Sequence, residues 1–387
     1  MISRSFFDLI TLIIYILVAL VSAYILKRAS VYSNGTGRMA INRWHILFIL
    51  MLTIFASFRC VGIRIGGTDT LNYIRDFETS TTLLNSIESN FTSFAEIVFA
   101  LYTFCIRQIT SDYHIYFIIS YSLITLSYVM FFNKYGNKYN SIIPYFYLMF
   151  FYLKTFSSLR TGLAVAVFLL ALVAIDRKKF LSLFLMIMAV FIHRSTIIYA
   201  MFIAFYWFFE KNIKKKSGKK IFVTCAALSV GLVLLANVFR GYILRLGFLN
   251  STDMYYISHG SATNVFASWI MFLPQILLLI LFLIFRLDES DEKLDFIKVC
   301  VVFDIIIIPL ALSLGMYRAN EYMFLPRLVL WSHYVSLIEN KYMAKSRGNL
   351  FIYRTIVFSM FMAWFLFRLT HEWYDLGLMY YRFGGLI

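Results

Sequence analysis

Three short stretches of this chain carry residue types able to act on an anion or a hydroxyl group. The first runs from Arg59 to Phe77 (RCVGIRIGGTDTLNYIRDF) and sets Asp69, Tyr73 and Asp76 behind a Gly66–Gly67 pair and two arginines, Arg59 and Arg64. Paired glycines permit a tight turn. Asp69 then either caps the short helix that follows or, with Tyr73, faces a cavity under the arginines. The second stretch is Ser157-Ser158-Leu159-Arg160, ahead of the small residues Gly162, Ala164 and Ala166. A cation at a helix N-terminus opposes the macrodipole, so Arg160 does not serve helix stability there. A helix start with an arginine suits a phosphate. The third is His193-Arg194-Ser195, inside a long apolar run. A neutral imidazole near pH 7 can serve as a general base; the plainer role is to satisfy backbone carbonyls.

Two further groups are less specific. The loop from Phe239 to Val265 holds Arg240, Arg245, Asp253, Tyr255, Tyr256 and His259. Its aromatic and polar alternation suits stacking on sugar rings, and equally an aromatic belt at a lipid boundary. Arg318, Asn320, Glu321 and Tyr322 precede a helix, with Arg327 one turn further in. Arg318 and Glu321 also suit a simple i,i+3 pair, whereas Arg327 has no evident partner.

The elements that must position these residues follow from composition. Of 387 residues, 61% are hydrophobic and 14% charged. Soluble domains carry roughly 45–50% apolar and about 25% charged residues, so a soluble globular enzyme and a disordered chain are both excluded. The net charge of +16 lies in short loops between apolar runs, which argues against a nucleic-acid-binding face. Cys60, Cys105, Cys225 and Cys300 are scattered, with neither zinc nor disulfide spacing. There is no GxxxxGK[ST] and no GxGxxG after a strand, nor a large polar loop for a nucleotide-sugar site.

Apolar runs at 6–26, 45–58, 114–132, 141–157, 158–175, 221–238, 265–286, 296–314, 324–339 and 351–367 are candidate spans. The stretch 180–209 is too long for one and is read as two short helices with a turn at His193. The chain is thus expected to be all-α, a polytopic integral membrane helix bundle of about twelve transmembrane helices. It reads as a single transmembrane domain over 1–387, and its first apolar run as a span and not a cleaved signal.

The basic segments at 27–43, 133–140, 176–179, 210–220 and 340–349 belong inside. Both termini then lie outside, together with 59–113 and 239–264, the loops expected to form the site. For parity, 94–108 must be an in-plane or re-entrant helix. Lysine is confined almost wholly to the inner loops, while the outer segments use arginine, among them Arg59, Arg64, Arg160, Arg194 and Arg318. A guanidinium matches phosphate in a bidentate fork, so these arginines point to an anionic ligand at the outer face. Snorkelling to headgroups is the bland alternative.

The order of these motifs resembles the EpsG-like, Wzy-type polysaccharide polymerases. The likeness rests on an Arg, a Gly-Gly-Thr-Asp-Thr-x-x-Tyr turn (Gly66 to Tyr73) and an acidic residue opening a helix (Glu96). It rests also on Ser-Leu-Arg (Ser158 to Arg160) before an alanine-rich helix, and on Phe-Ile-His-Arg-Ser (Phe191 to Ser195). It covers roughly Leu47 to Tyr199, and the C-terminal half by helix count and the Arg318–Tyr322 cluster. Two departures stand out. The Arg-to-Gly spacing is longer here, which leaves Arg59 and Arg64 both open as the counterpart, and Thr161 follows the second-motif Arg where Gln or Asn is frequent.

The resemblance implies a GT-C-like enzyme of the bacterial inner (cytoplasmic) membrane with its site on the periplasmic side. Such proteins move a growing chain from its undecaprenyl diphosphate to a new lipid-linked oligosaccharide repeat unit, building O-antigen, capsule or exopolysaccharide. Donor and acceptor are both lipid-linked, the transfer inverts, and no cofactor, metal or nucleotide is expected. Membrane lipids and a chain-length-regulating membrane protein are the implied partners; nucleic acid is not. On the residues' own chemistry, activation of the acceptor is expected of His193, with Asp69 as orienting carboxylate or as the base itself. Binding is expected of Arg59, Arg64, Tyr73, Arg160, Arg194, His259, Arg318 and Glu321, with Glu96, Glu321 or His259 as the next candidate bases. A precursor flippase is the rival reading. It would line both halves of a cavity with cations and show repeat symmetry, neither of which is seen. A membrane O-acyltransferase would call for an inner-side His or Arg site, where only His45 stands.

Overall fold

The computed structural model describes residues 8–33, 41–90, 96–136, 145–176, 178–203, 205–206, single positions between 224 and 235, and 265–284, 292–313, 317–343, 346–372, 375–378 and 380–384. The expected loop 239–264, with His259, lies outside the described residues. Among the described residues every regular element is helical. In chain order these are α1 (Leu9–Ser33), α2 (Arg43–Ser57), α3 (Thr70–Thr79), α4 (Leu83–Asn90), α5 (Ile97–Ile109), α6 (Tyr113–Tyr135), α7 (Tyr145–Lys154), α8 (Leu159–Ala174), α9 (Lys179–Ile192), α10 (Thr196–Ala200), α11 (Val265–Ile284), α12 (Glu292–Ser313), α13 (Phe324–Ile338) and α14 (Arg347–Glu372). A 3₁₀ turn, Tyr317–Glu321, precedes α13, and a π-turn, Glu339–Met343, follows it.

Among the described residues, three helices are long and apolar enough to cross a membrane: α1 over Leu9–Ala29, α6 and α14. Shorter apolar helices are α2, α5, α8, α9 and the Leu273–Ile284 part of α11. The run 180–209 does break at His193, which ends α9 with an extended backbone before α10 begins at Thr196.

The helices divide into two compact units, Met1–Arg194 with Ser332–Ile387, and Ser195–Trp331. In the first, α6 is central, touching α2, α3, α5 and α8, while α8 packs closely on α9. Against α6 and the turn before α8, a small residue allows close approach. A Cβ added at Gly162 would come within 3.0–3.2 Å of Thr155 and Ile124 side chains.

Side-chain and loop hydrogen bonds sort the helix ends of this unit into two sets. At one end, Lys134 at the foot of α6 bonds Asp176 at 2.6 Å and the Val173 carbonyl at 2.8 Å, and Asn42 before α2 bonds the Ala29 carbonyl at 2.8 Å. At the other end lie Asp8, Ser57, the 59–70 loop, His114, Phe156, Arg160, His193 and the 375–384 tail. These are the two sets that the loop-charge alternation predicts. Both ends of α5 are tied to the second set. Glu96 at its head meets Arg160 and His193, while Arg107 lies over the Phe77 ring and Gln108 donates to the Thr81 carbonyl at its foot. Both ends of α5 thus bond to residues of the second set.

Candidate functional site

The Gly-Gly-Thr-Asp-Thr segment is a clamp between helix ends. Gly66 and Gly67 have φ of +68° and +113°, and a Cβ on Gly67 would sit 2.1 Å from the Phe156 carbonyl oxygen. Only glycine fits such a position. The Thr70 hydroxyl bonds the carbonyls of Gly66 at 2.9 Å and Phe156 at 2.8 Å. Arg59 fills the space beneath. It donates to the carbonyls of Ala56, Gly66 and Phe156 and to the Thr70 hydroxyl, and its guanidinium lies 4.5 Å from the Phe156 ring centroid. Its exposure is 1%. Arg59 was expected to meet a ligand; its fork is instead engaged by the protein's own backbone, and it holds the turn in shape.

Arg64 has the opposite character. It is exposed, at the tip of a Gly62–Ile65 turn closed by two backbone hydrogen bonds, and its φ is +59°. A non-glycine residue in that region is held there by its surroundings. Asp69 occupies the N-cap position of α3, yet its side chain makes no capping bond to the helix. The carboxylate is partly exposed.

The C-terminal tail completes the loop. Gly67 and Thr68 donate backbone N–H groups to Gly377 and Leu376 at 3.1 and 3.2 Å, and the Thr68 hydroxyl bonds the Asp375 carbonyl. Cys60 N–H donates to Arg382 at 2.7 Å, and Arg382 itself pairs with Asp8 at 2.7 Å.

Beside this clamp, Glu96 gathers residues from three elements. One carboxylate oxygen accepts from Arg160 at the start of α8; the other stands 3.4 Å from Nδ1 of His193 at the end of α9. Glu96 is 2% exposed, so the carboxylate is shielded from water and its partners are its main stabilisation. The Arg160 guanidinium lies 4.8 Å from the Phe99 ring centroid and 6.0 Å from that of Tyr73. Arg160 Nε is buried with no hydrogen-bond partner among the described residues. Arg194 follows His193 and is half-buried. Asp76 on α3 is half-buried too. Burial pushes its carboxyl up to about 6, against the pull of Arg160 and Arg75. Three expected site residues, Tyr73, Arg160 and His193, thus stand round Glu96 and Phe99.

The second unit has its own polar core. Arg327 pairs with Asp304 at 3.1 Å and donates to both the side chain and the backbone carbonyl of Asn320. Gln275 donates to Asn320 at 2.9 Å, and Tyr199 to Asp304 at 3.1 Å. Arg327 does have a partner. Sequence reasoning passed over it because Asp304 sits inside an apolar span, where a lone carboxylate is itself a signal. This network holds the 3₁₀ turn that carries half-buried Arg318 and buried Glu321. Among the described residues, no group of three or more His, Cys, Asp or Glu side chains is placed to hold a metal ion.

A model of the EpsG family matches residues 42–382. The chain belongs to the EpsG family. No curated protein and no solved structure matches it. The match takes in the Gly-Gly turn, Glu96, Arg160, His193, the Arg318–Glu321 turn and the tail up to Arg382. Membership in the EpsG family, with the apolar helices, points to a membrane protein of polysaccharide biosynthesis with a polymerase-type glycosyltransferase activity.

Proposed function

We propose that this EpsG-family chain joins lipid-linked oligosaccharide repeat units into a polysaccharide at the outer face of a bacterial inner membrane. The bundle is read as about twelve crossings of GT-C-like type. The donor chain leaves undecaprenyl diphosphate and passes, with inversion, to a hydroxyl of the acceptor unit, with no nucleotide or metal required. One observation carries this reading: a buried carboxylate, Glu96, holds an arginine and a histidine from two other helices at one end of the bundle.

That arrangement suits a diphosphate leaving group. Arg160 stands at a helix start, where backbone N–H groups and the macrodipole also favour an anion. Its charge in a partly water-excluded site stabilises charge developing in the transition state. His193, oriented through Nδ1 by Glu96, turns its other nitrogen to the same chemistry, as base or as donor. Arg64 and Arg194 are the further arginines of this unit proposed to meet anionic substrate, and Tyr73 and Phe99 offer ring faces beside Arg160. A chain-length-regulating membrane protein is the proposed partner.

Purified protein in proteoliposomes should lengthen the lipid-linked repeat unit, extracted from a host lacking this chain, with no nucleotide added. Transport of the unit across the bilayer without chain growth would replace the polymerase with a flippase.

A further inference from the structure

The proton that leaves the acceptor hydroxyl needs a receiver, and Glu96 is poorly suited: both its oxygens are engaged and it is shielded from solvent. Asp76 differs on each count. It lies on α3 seven positions after Asp69 and three after Tyr73, so the three share one helix face. It is half-buried, and its carboxylate makes no hydrogen bond or ion pair among the described residues. A part-buried carboxylate without partners is uncommon unless it has work to do. It is also close enough to Arg160 to feel that charge.

Resting on the polymerase reading above, we propose that Asp76 is the general base that activates the acceptor hydroxyl, which leaves His193 the donor role toward the diphosphate. The hydroxyl O–H bond breaks as its oxygen bonds the donor's anomeric carbon. The bond from that carbon to the diphosphate oxygen breaks, and its electron pair leaves on the diphosphate. The proton ends on the Asp76 carboxylate and passes to water.

Arg160 couples the two halves of the step. Without donor, its charge is shared between Glu96 and Asp76. A bound diphosphate takes up that charge, and a carboxylate that loses a cation gains basicity. Asp76 therefore becomes the stronger base when the donor is in place. Besides Arg160, Arg75 on its own helix acts on it; the helices packed on α3 also carry the exposed Glu88 of α4, Arg107 of α5 over the Phe77 ring, and Tyr116 of α6, which stacks on Phe77. His114, in the first turn of α6, is tied to the Ser57 carbonyl. With Asp76 near 6 in the donor-free protein, the acid limb of kcat/KM belongs at that pH, and that of kcat above it.

The test uses full-length protein in proteoliposomes carrying the extracted lipid-linked unit, and undecaprenyl diphosphate as the binding probe. Asp76→Asn should cut the transfer rate about 100-fold or more, bind undecaprenyl diphosphate within twofold of wild type, and lose the acid limb. Asp76→Glu should recover part of the rate with the limb retained. Asp76→Asn at near wild-type rate, or a wild-type profile flat through pH 6, overturns the proposal. Should Asp76→Asn fail to fold, the wild-type profile and Asp76→Glu decide alone. No chain growth by wild type would sink the polymerase reading itself, a different outcome from active wild type with an indifferent Asp76.

Discussion

Arg327 reaches Asp304 at 3.1 Å, and neither side chain exposes any surface. An arginine and an aspartate inside apolar helices tolerate each other only as a pair. Removing one leaves the other charged and unmatched, at a cost of about 3–5 kcal/mol. Arg327→Met should therefore lower the melting temperature in detergent sharply, while Arg327→Met with Asp304→Leu should recover most of it. Equal destabilisation by single and double changes would show that the pair itself contributes little.

Arg59 and Arg160 should respond differently to substitution, although sequence alone groups them. Arg59→Ala removes four internal hydrogen bonds and should lower folded yield and melting temperature, with diphosphate binding per folded molecule unchanged. Arg160→Ala leaves buried Glu96 without its cation, so it too should lower melting temperature. It should also abolish diphosphate binding and polymer per folded molecule, and Arg160→Lys should rescue poorly because a point charge cannot form the fork. Size-exclusion profiles with gel analysis of polymer separate the two outcomes.

Gly67→Ala should be among the most damaging small changes. The added methyl meets the Phe156 carbonyl at 2.1 Å on a backbone of φ +113°. Strain of this kind is about 1–3 kcal/mol before the clash is counted. Polymer loss with reduced thermal stability is the expected result, and Gly231→Ala, where a Cβ meets nothing within 4 Å, is the control.

Asp76 also predicts a dependence of stability on pH. Its folded value of about 6 lies above an ordinary carboxyl, so its contribution is fully present below pH 4 and is lost as pH rises through 6. Asp76→Asn should stabilise the protein at pH 7 by on the order of 1 kcal/mol, discounted for partial exposure, and by nothing at pH 4. Melting curves at the two pH values check this.

The side assignment of α5 can be probed by cysteine labelling at the exposed positions Thr82 and Ser111, with the exposed Cys105 replaced by serine. Both should react with an impermeant reagent from the outer side alone. Labelling of Ser111→Cys from the cytoplasmic side would mean that α5 crosses.

Much of this architecture was legible in the chain because its signals are local. Apolar length gave the helices, the Gly66–Gly67 pair its turn, and His193 the break in a run too long for one span. Loop charge anticipated the grouping of helix ends. Long-range pairings were not legible. Glu96 reads as a helix opener until Arg160 and His193 are seen on it, 64 and 97 positions away. Arg59 and Arg64 look alike in sequence, yet one lies under a turn and the other on its tip. Asp304 was hidden because hydropathy windows average a single charge away.

The loop around Gly67 is made early in translation, but its partners on the tail come last. Thr68 bonds Asp375, 307 positions later, and Cys60 waits for Arg382. A nascent chain can insert and bundle its first helices while this loop is still open. A premature stop anywhere before Asp375 would leave an inserted, helical but unlatched protein. Closure of the Gly67 loop thus waits for residues more than 300 positions further along the chain, and belongs to the last stage of this unit's assembly.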